Sequence, residues 1–461
     1  MAEKSGFRYF EVQFTKAGDV HDRNEVRALT EHLASSDTKD LLVLAHGWNN
    51  DMQEARQLYD GLLSQLETAM KAQRISSAAQ RITVLGLLWP SKKFADMELT
   101  AGGAAALGSS VTDDALFRQI QQLTQLLDDP EQTKTLESLK VLVPRLEDSP
   151  KAQREFADLL RTALTPKNDA PTGVREGEEE DASDTFFSLS GSDLMDRLAR
   201  PVEFDTGPVA SEPLGFDGIG GPARLGADGV RGADDAGGAA SLGDFLSGIK
   251  AGASNLLNYA TFFSMKERAG IVGQRGVNAL LREIAKDHRD LRLHLAGHSF
   301  GARLVTAATA GPNEGSALAP RSLVLLQAAF SHNGFAENFD GKGGNGGFRR
   351  VVSAGLVHGP IVITHTRNDR AVGLAYPLAS LISGSDSAGL GDENDRFGGM
   401  GRNGAQFTPE AAMDKLGDVN HPYEFASGRV YNLRADSTIS GHSDVVKPEV
   451  AHVMLSAIAA G

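Results

Sequence analysis

There is no cysteine among the 461 residues. That absence excludes disulfide frameworks, thiol nucleophiles and thiolate metal sites together. It leaves the compartment open, because a cysteine-free chain tolerates reducing and oxidising surroundings alike. Long apolar runs are missing too: no stretch approaches the roughly 18 consecutive apolar residues of a membrane-spanning helix. The opening MAEKSGFRYFEVQFTKAGDV scatters its charges and holds no apolar core of signal-peptide length, so no Sec-type signal is expected. The expected location is cytoplasmic, with export by a signal-independent route left open. Positive charge is scarce. Against 60 Asp and Glu stand 46 Lys and Arg, a net charge of −14, which speaks against a nucleic-acid partner. Hydrophobic residues at 41% and charged residues at 23% are ordinary for a globular protein. At about 150 residues per domain the length allows roughly three domains.

The acidity is concentrated. Residues 167–245 hold 17 acidic and 6 basic residues, so this stretch carries −11 of the −14. It is rich in Gly, Pro and acid and keeps no sustained strand or helix period, so it cannot repay the entropy of ordering. Residues 166–257 therefore read as a mostly disordered linker ending in a helix. Within it, DTFFSLSGSDLMDRLARPVEF is an island that could dock locally through Phe186, Phe187, Leu194 and Leu198. Two further glycine-rich stretches, 339–348 and 383–404, read as long solvated loops. Neither has the spacing of a phosphate or calcium loop.

Elsewhere strand-like and helix-like blocks alternate. FRYFEVQF alternates apolar and polar residues. DLLVLAHG, RITVLGLLWP, LRLHLAGHS, RSLVLLQAAF, GPIVITHT and GRVYNLRA are short apolar runs closed by turn chemistry. Near-continuous apolar strands suit a parallel sheet covered on both faces, and their alternation with amphipathic helices indicates an α/β fold. Residues 113–165 read as purely helical and interrupt the alternation.

The sharpest chemical signal is Gly297-His298-Ser299-Phe300-Gly301, a G-x-S-x-G between an apolar strand and a helical run. A tight strand-to-helix turn of this kind presents a serine hydroxyl at a helix N-terminus. Such a serine needs a base, an orienting acid and an oxyanion hole. Asp369, in the turn after GPIVITHT, is the candidate acid, with Asp395 and Asp436 as rivals. His442, in the loop before the last helix, is the candidate base. His421 and His452 are weaker alternatives, and His298 belongs to the turn itself. The oxyanion hole needs two backbone N–H donors, for which Phe300 and Trp48 are the candidates. Trp48 follows His46-Gly47 at the end of an early strand.

Together HGWNN, LLWPS, GHSFG, RNDRAVG and GHSDV resemble the α/β-hydrolase superfamily. The chain is particularly similar to bacterial esterase/lipase-like hydrolases that carry an HG-aromatic-NN loop and a W-P-S after the next strand. The resemblance covers roughly 6–91 and 258–461. It implies an α/β-hydrolase fold, a mostly parallel sheet with helices on both faces, whose core (1–91 and 258–461) is interrupted by a helical segment (92–165) and the acidic linker (166–257). It further implies a triad of Ser299, Asp369 and His442 with the hole at Trp48 and Phe300. The expected function is hydrolysis of carboxylic esters, small or lipidic, with no cofactor and no metal. Transient contact with a membrane surface is compatible with this reading. A thioesterase or acyltransferase would use the same triad, and a partner-binding protein on a hydrolase fold is the alternative from another class. Helices 113–165 are expected to pack over the strand ends near Ser299 as a cap or lid.

Overall fold

The computed structural model describes residues 2–48, 50–72, 81–91, 111–127, 129–165, 183–199, 248–384 and 393–461. Its centre is a nine-stranded sheet in the order β1-β2-β4-β3-β5-β6-β7-β9-β8. The strands are β1 (Ala2–Lys4), β2 (Phe7–Gln13), β3 (Asp40–Ala45), β4 (Ile82–Leu88), β5 (Arg292–His298), β6 (Ser322–Leu326), β7 (Ile361–His365), β8 (Ala411–Lys415) and β9 (Val430–Arg434). Only β1 runs antiparallel to its neighbour; every other pairing is parallel.

The apolar runs are strands because both faces of the sheet are covered. On β3 every residue is buried. Leu41, Val43 and Ala45 face one core, shared with α1 (Arg23–Ser35), and Leu42 and Leu44 face the other. That second core is closed by α2 (Met52–Ala72) and by the C-terminal helix Pro448–Ala460.

From β3 the chain steps to β4 on one side, then crosses back to β5 on the other and continues outward to β6 and β7. The order therefore reverses between β3 and β5, and in open parallel sheets the crevice beyond the strand ends at such a point is where ligands bind. The long excursion of the chain leaves from the exit of β4, beside that crevice.

This excursion contains α3 (Asp113–Leu126), α4 (Pro130–Leu142), α5 (Pro150–Leu164), α6 (Ser183–Ser188) and α7 (Gly191–Leu198). It returns through α8 (Ile249–Ile271), a π-turn (Val272–Val277) and α9 (Asn278–Asp287). The amphipathic stripes do pack: Leu116, Ile120, Leu123, Leu136, Leu139 and Leu160 are fully buried. Gln119 donates to Ser254 Oγ and Asn258 Oδ1 of α8 at 2.9 and 3.0 Å. Arg268 of α8 donates to the carbonyls of Pro90 and Leu126, which ties the excursion to the β4 exit.

One expectation is met and one boundary moves. The island within the expected linker forms α6 and α7, with Phe186, Leu194 and Leu198 buried completely and Phe187 packed beside them. The docking island is thus real, and it closes over α8: Asn255 donates to the Leu198 carbonyl at 3.0 Å. The core boundary at 258 falls inside α8, one continuous helix from Ile249 to Ile271. The rest of the expected linker, 166–182 and 200–247, lies outside the described residues. No described helix is long and apolar enough to cross a membrane.

Candidate active site

Ser299 stands between β5 and α10 (Phe300–Ala310) with φ 58° and ψ −125°. A non-glycine residue at positive φ costs about 1–3 kcal/mol and persists only where the surroundings enforce it. Here they do. The Ser299 N–H donates to the Leu326 carbonyl at 3.0 Å and its own carbonyl accepts from Ala302 and Ala329 N–H. The flanking residues have to be glycine, because the helix starts so close to the strands. A Cβ on Gly301 would lie 2.2 Å from the Ala45 carbonyl oxygen, and one on Gly297 would lie 2.3 Å from that of Gly301.

The Ser299 hydroxyl meets His442, whose Nε2 lies 2.8 Å from Oγ. The other ring nitrogen, Nδ1, lies 2.8 Å from Asp369 Oδ2. A carboxylate can only accept, so Nδ1–H donates to it and Nε2 is left to accept the serine proton. Asp369 is itself fixed at the N-cap of α11 (Arg370–Ser383), where Oδ1 accepts from Val372 N–H at 3.0 Å. Gly401 backs onto the acid, since a Cβ there would come 2.9 Å from Oδ2. Ser299 and Asp369 are fully buried and His442 is 4% exposed.

The rivals fall elsewhere. Asp395 accepts from Ser380 Oγ at 2.6 Å and from Phe397 N–H. Asp436 accepts from Thr366 Oγ1 and Arg367 N–H and so supports the turn that leads into Asp369. His452 bonds through Nε2 to the His421 carbonyl, and neither ring is hydrogen-bonded to Ser299 or Asp369. His298 does join the cluster: its Nε2–H donates to the His442 carbonyl at 2.9 Å, and the two rings lie 5.0 Å apart. Burial first, then the neighbouring His442, pushes the His298 pKa down to about 3, which keeps the ring neutral.

The two candidate oxyanion amides belong to residues in mutual contact. Phe300 is the first residue of α10, and its ring lies 6.0 Å from that of Trp48. Phe262 of α8 packs 5.1 Å from Phe300 and 5.8 Å from Tyr376 of α11. Through Phe262, α8 packs against Phe300 at the site, and α3, α5 and α7 stack on α8. A groove lined by Asp114, Phe117, Arg118, Gln121, Lys140 and Val141, on α3 and α4, shares no residue with this cluster.

The motifs HGWNN and LLWPS do not by themselves show the group that forms around the loop after β3. His46 is buried, and desolvation lowers its pKa to about 4. It stacks on Trp89 at 5.6 Å. Its sequence signal was present, since HGWNN and LLWPS each end a strand, but their partnership is visible only when β3 and β4 are paired. Among the described residues no three His, Asp or Glu side chains form a metal-holding group. No family model, curated protein or solved structure matches this chain.

Proposed function

We propose that the chain is a serine hydrolase of the α/β-hydrolase type that cleaves carboxylic esters. The observation that carries this reading is the unbroken run from Ser299 Oγ to His442 Nε2 and from His442 Nδ1 to Asp369 Oδ2, both steps at 2.8 Å, on a serine held at positive φ. In the reaction, His442 takes the Ser299 proton as Oγ attacks the acyl carbon. The amides of Phe300 and Trp48 receive the oxyanion, and the protonated imidazole then gives its proton to the departing alkoxide. Water repeats the sequence on the acyl-enzyme. Asp369 keeps the imidazole in the tautomer that leaves Nε2 free to accept and stabilises its cation.

The neighbourhood favours an apolar acyl group. Trp48, Phe300 and Phe262 supply aromatic walls, and the buried histidine beside the triad is held neutral. Because Ser299 is wholly covered, α8 and the helices stacked on it act as a cap that shifts to admit substrate. A panel of p-nitrophenyl esters of rising acyl length tests the reading. Turnover is expected in the wild type and is expected to vanish in Ser299→Ala. A wild type that leaves every ester intact would refute it.

A further inference from the structure

We infer that His46 is a positioning residue that sets the oxyanion hole by fixing the Gly47–Trp48 peptide, with Asn50, Trp89 and Ser91 as its supports. The inference rests on the serine-hydrolase reading above. Gly47 sits directly against the nucleophile: a Cβ there would come 2.8 Å from Ser299 Cβ and 3.3 Å from Oγ. The orientation of the peptide that follows Gly47 therefore decides whether a donor or an acceptor faces the reacting centre.

That orientation is set from the side of the β4 exit. The Gly47 carbonyl accepts from His46 Nδ1–H at 2.9 Å and from Asn50 Nδ2 at 3.4 Å. In a trans peptide the carbonyl and the following N–H point in opposite directions, and the described chain has no cis bond. Pinning the Gly47 carbonyl toward the His46 ring thus turns the Trp48 N–H away from it. The ring can do this only in one tautomer, and the structure selects that tautomer. Nε2 accepts from Trp89 N–H at 3.3 Å, so the proton resides on Nδ1.

The backbone of His46 is held as firmly. Its carbonyl accepts from the Trp89 indole N–H at 2.9 Å. Its N–H donates to Tyr59 Oη at 2.9 Å, and Tyr59 in turn donates to the Leu87 carbonyl at 2.6 Å. Ser91 Oγ donates to the Asn50 carbonyl at 2.7 Å, which closes the loop from its far end. The HGWNN and LLWPS motifs thereby become one device: the second strand exit clamps the first. A hole whose donors are fixed before reaction avoids reorganisation in the transition state.

The test compares His46→Leu, His46→Asn and Ser91→Ala by ester hydrolysis. Rates are expressed per serine titrated with a fluorophosphonate, so that misfolded chains drop out. A single oxyanion donor is worth about 10²–10³ in kcat, and a mispositioned one is expected to cost about 10–100-fold. His46→Leu should lose that much kcat with KM and the pH midpoint of activity unchanged. His46→Asn keeps an N–H where Nδ1–H stood and should recover much of the loss. Ser91→Ala, the milder change should His46→Leu fail to fold, is expected to lose several-fold. Wild-type kcat per titrated serine in both His46→Leu and Ser91→Ala would overturn the inference, as would a His46→Asn no better than His46→Leu. A wild type that takes up no fluorophosphonate would overturn the hydrolase reading itself, which is a separable result.

Discussion

The crevice between β3 and β5 and the helical cover above it are built on opposite terms. At the crevice, glycines are forced, a serine is strained and the side chains of Ser299, His442 and Asp369 are bonded to one another. The cover asks mainly that leucines recur at helical spacing; Leu116, Leu123, Leu139 and Leu160 are alike in kind and fully buried. Histidine divides the same way. There is no histidine between His46 and His288. The buried imidazoles with depressed pKa at the site (His46 and His298) and at the end of β7 (His365) all lie at or one residue beyond a strand end. Chemistry demands individual atoms at fixed places, whereas a cover demands volume and a path that opens.

The largest expected contrast is between two buried aspartates. Asp369→Asn should keep the fold and lower kcat by about 10³–10⁴-fold, since the imidazole then loses its correct tautomer. Asp395→Asn, whose partners are Ser380 and Phe397 N–H, should cost stability and leave kcat within several-fold. The opposite ranking in steady-state kinetics would move the acid to the glycine-rich loop.

Acid should strike the sheet region next. His46, His298 and His365 bind a proton in the unfolded chain below about pH 6.5, but burial holds their folded pKa values near 4, 3 and 4. The unfolded state then binds more protons, so their contribution is intact above pH 6.5 and lost as pH falls toward 4. Each histidine contributes a slope of up to about 1.4 kcal/mol per pH unit. Thermal melts from pH 7 to 4.5 should show a steadily falling midpoint; a flat profile would mean that these rings are hydrated.

Within the cover, Phe262→Ala and Leu116→Ala should separate. Both side chains are buried and either loss costs about 3 kcal/mol. Phe262 touches Phe300, so its removal should shift preference toward longer acyl chains. Leu116 lies behind α8 and should change only the unfolding midpoint. Equal shifts in the ester panel would place α3 in the acyl pocket.

The smallest effect concerns residues 201–246. Gly248 N–H donates to the Ala199 carbonyl at 3.0 Å, so the chain ends on either side already meet. Replacing the segment with a short Gly/Ser turn should move the thermal midpoint by no more than about 2 °C, because closing a shorter loop costs no more entropy. Leu194→Ala, in the neighbouring island, should lower it clearly. A large drop on replacement would assign the acidic segment a structural role.

Legibility followed the same division. Strands buried on both faces announce themselves as apolar runs, and G-x-S-x-G between strand and helix is hard to mistake. β1, with three residues, and β8, with the exposed AAMDK, have no such run and went unseen. The island at 183–199 was legible from Phe186, Leu194 and Leu198 even among acidic residues, and a helix was expected to end the linker, but the glycine and alanines of α8 hid that it is one continuous helix across residue 258. The motif around His46 was legible but its bonding was not, since its partners at Trp89 and Ser91 lie more than 40 positions away and two of its bonds go to backbone atoms of other residues.

The most direct measurement is covalent. Intact-mass analysis and peptide mapping after fluorophosphonate treatment should find a single adduct on Ser299, absent in Ser299→Ala and slow to form in Asp369→Asn. No adduct on the wild type, or one that survives Ser299→Ala, would contradict the assignment of Ser299, His442 and Asp369 as a working triad.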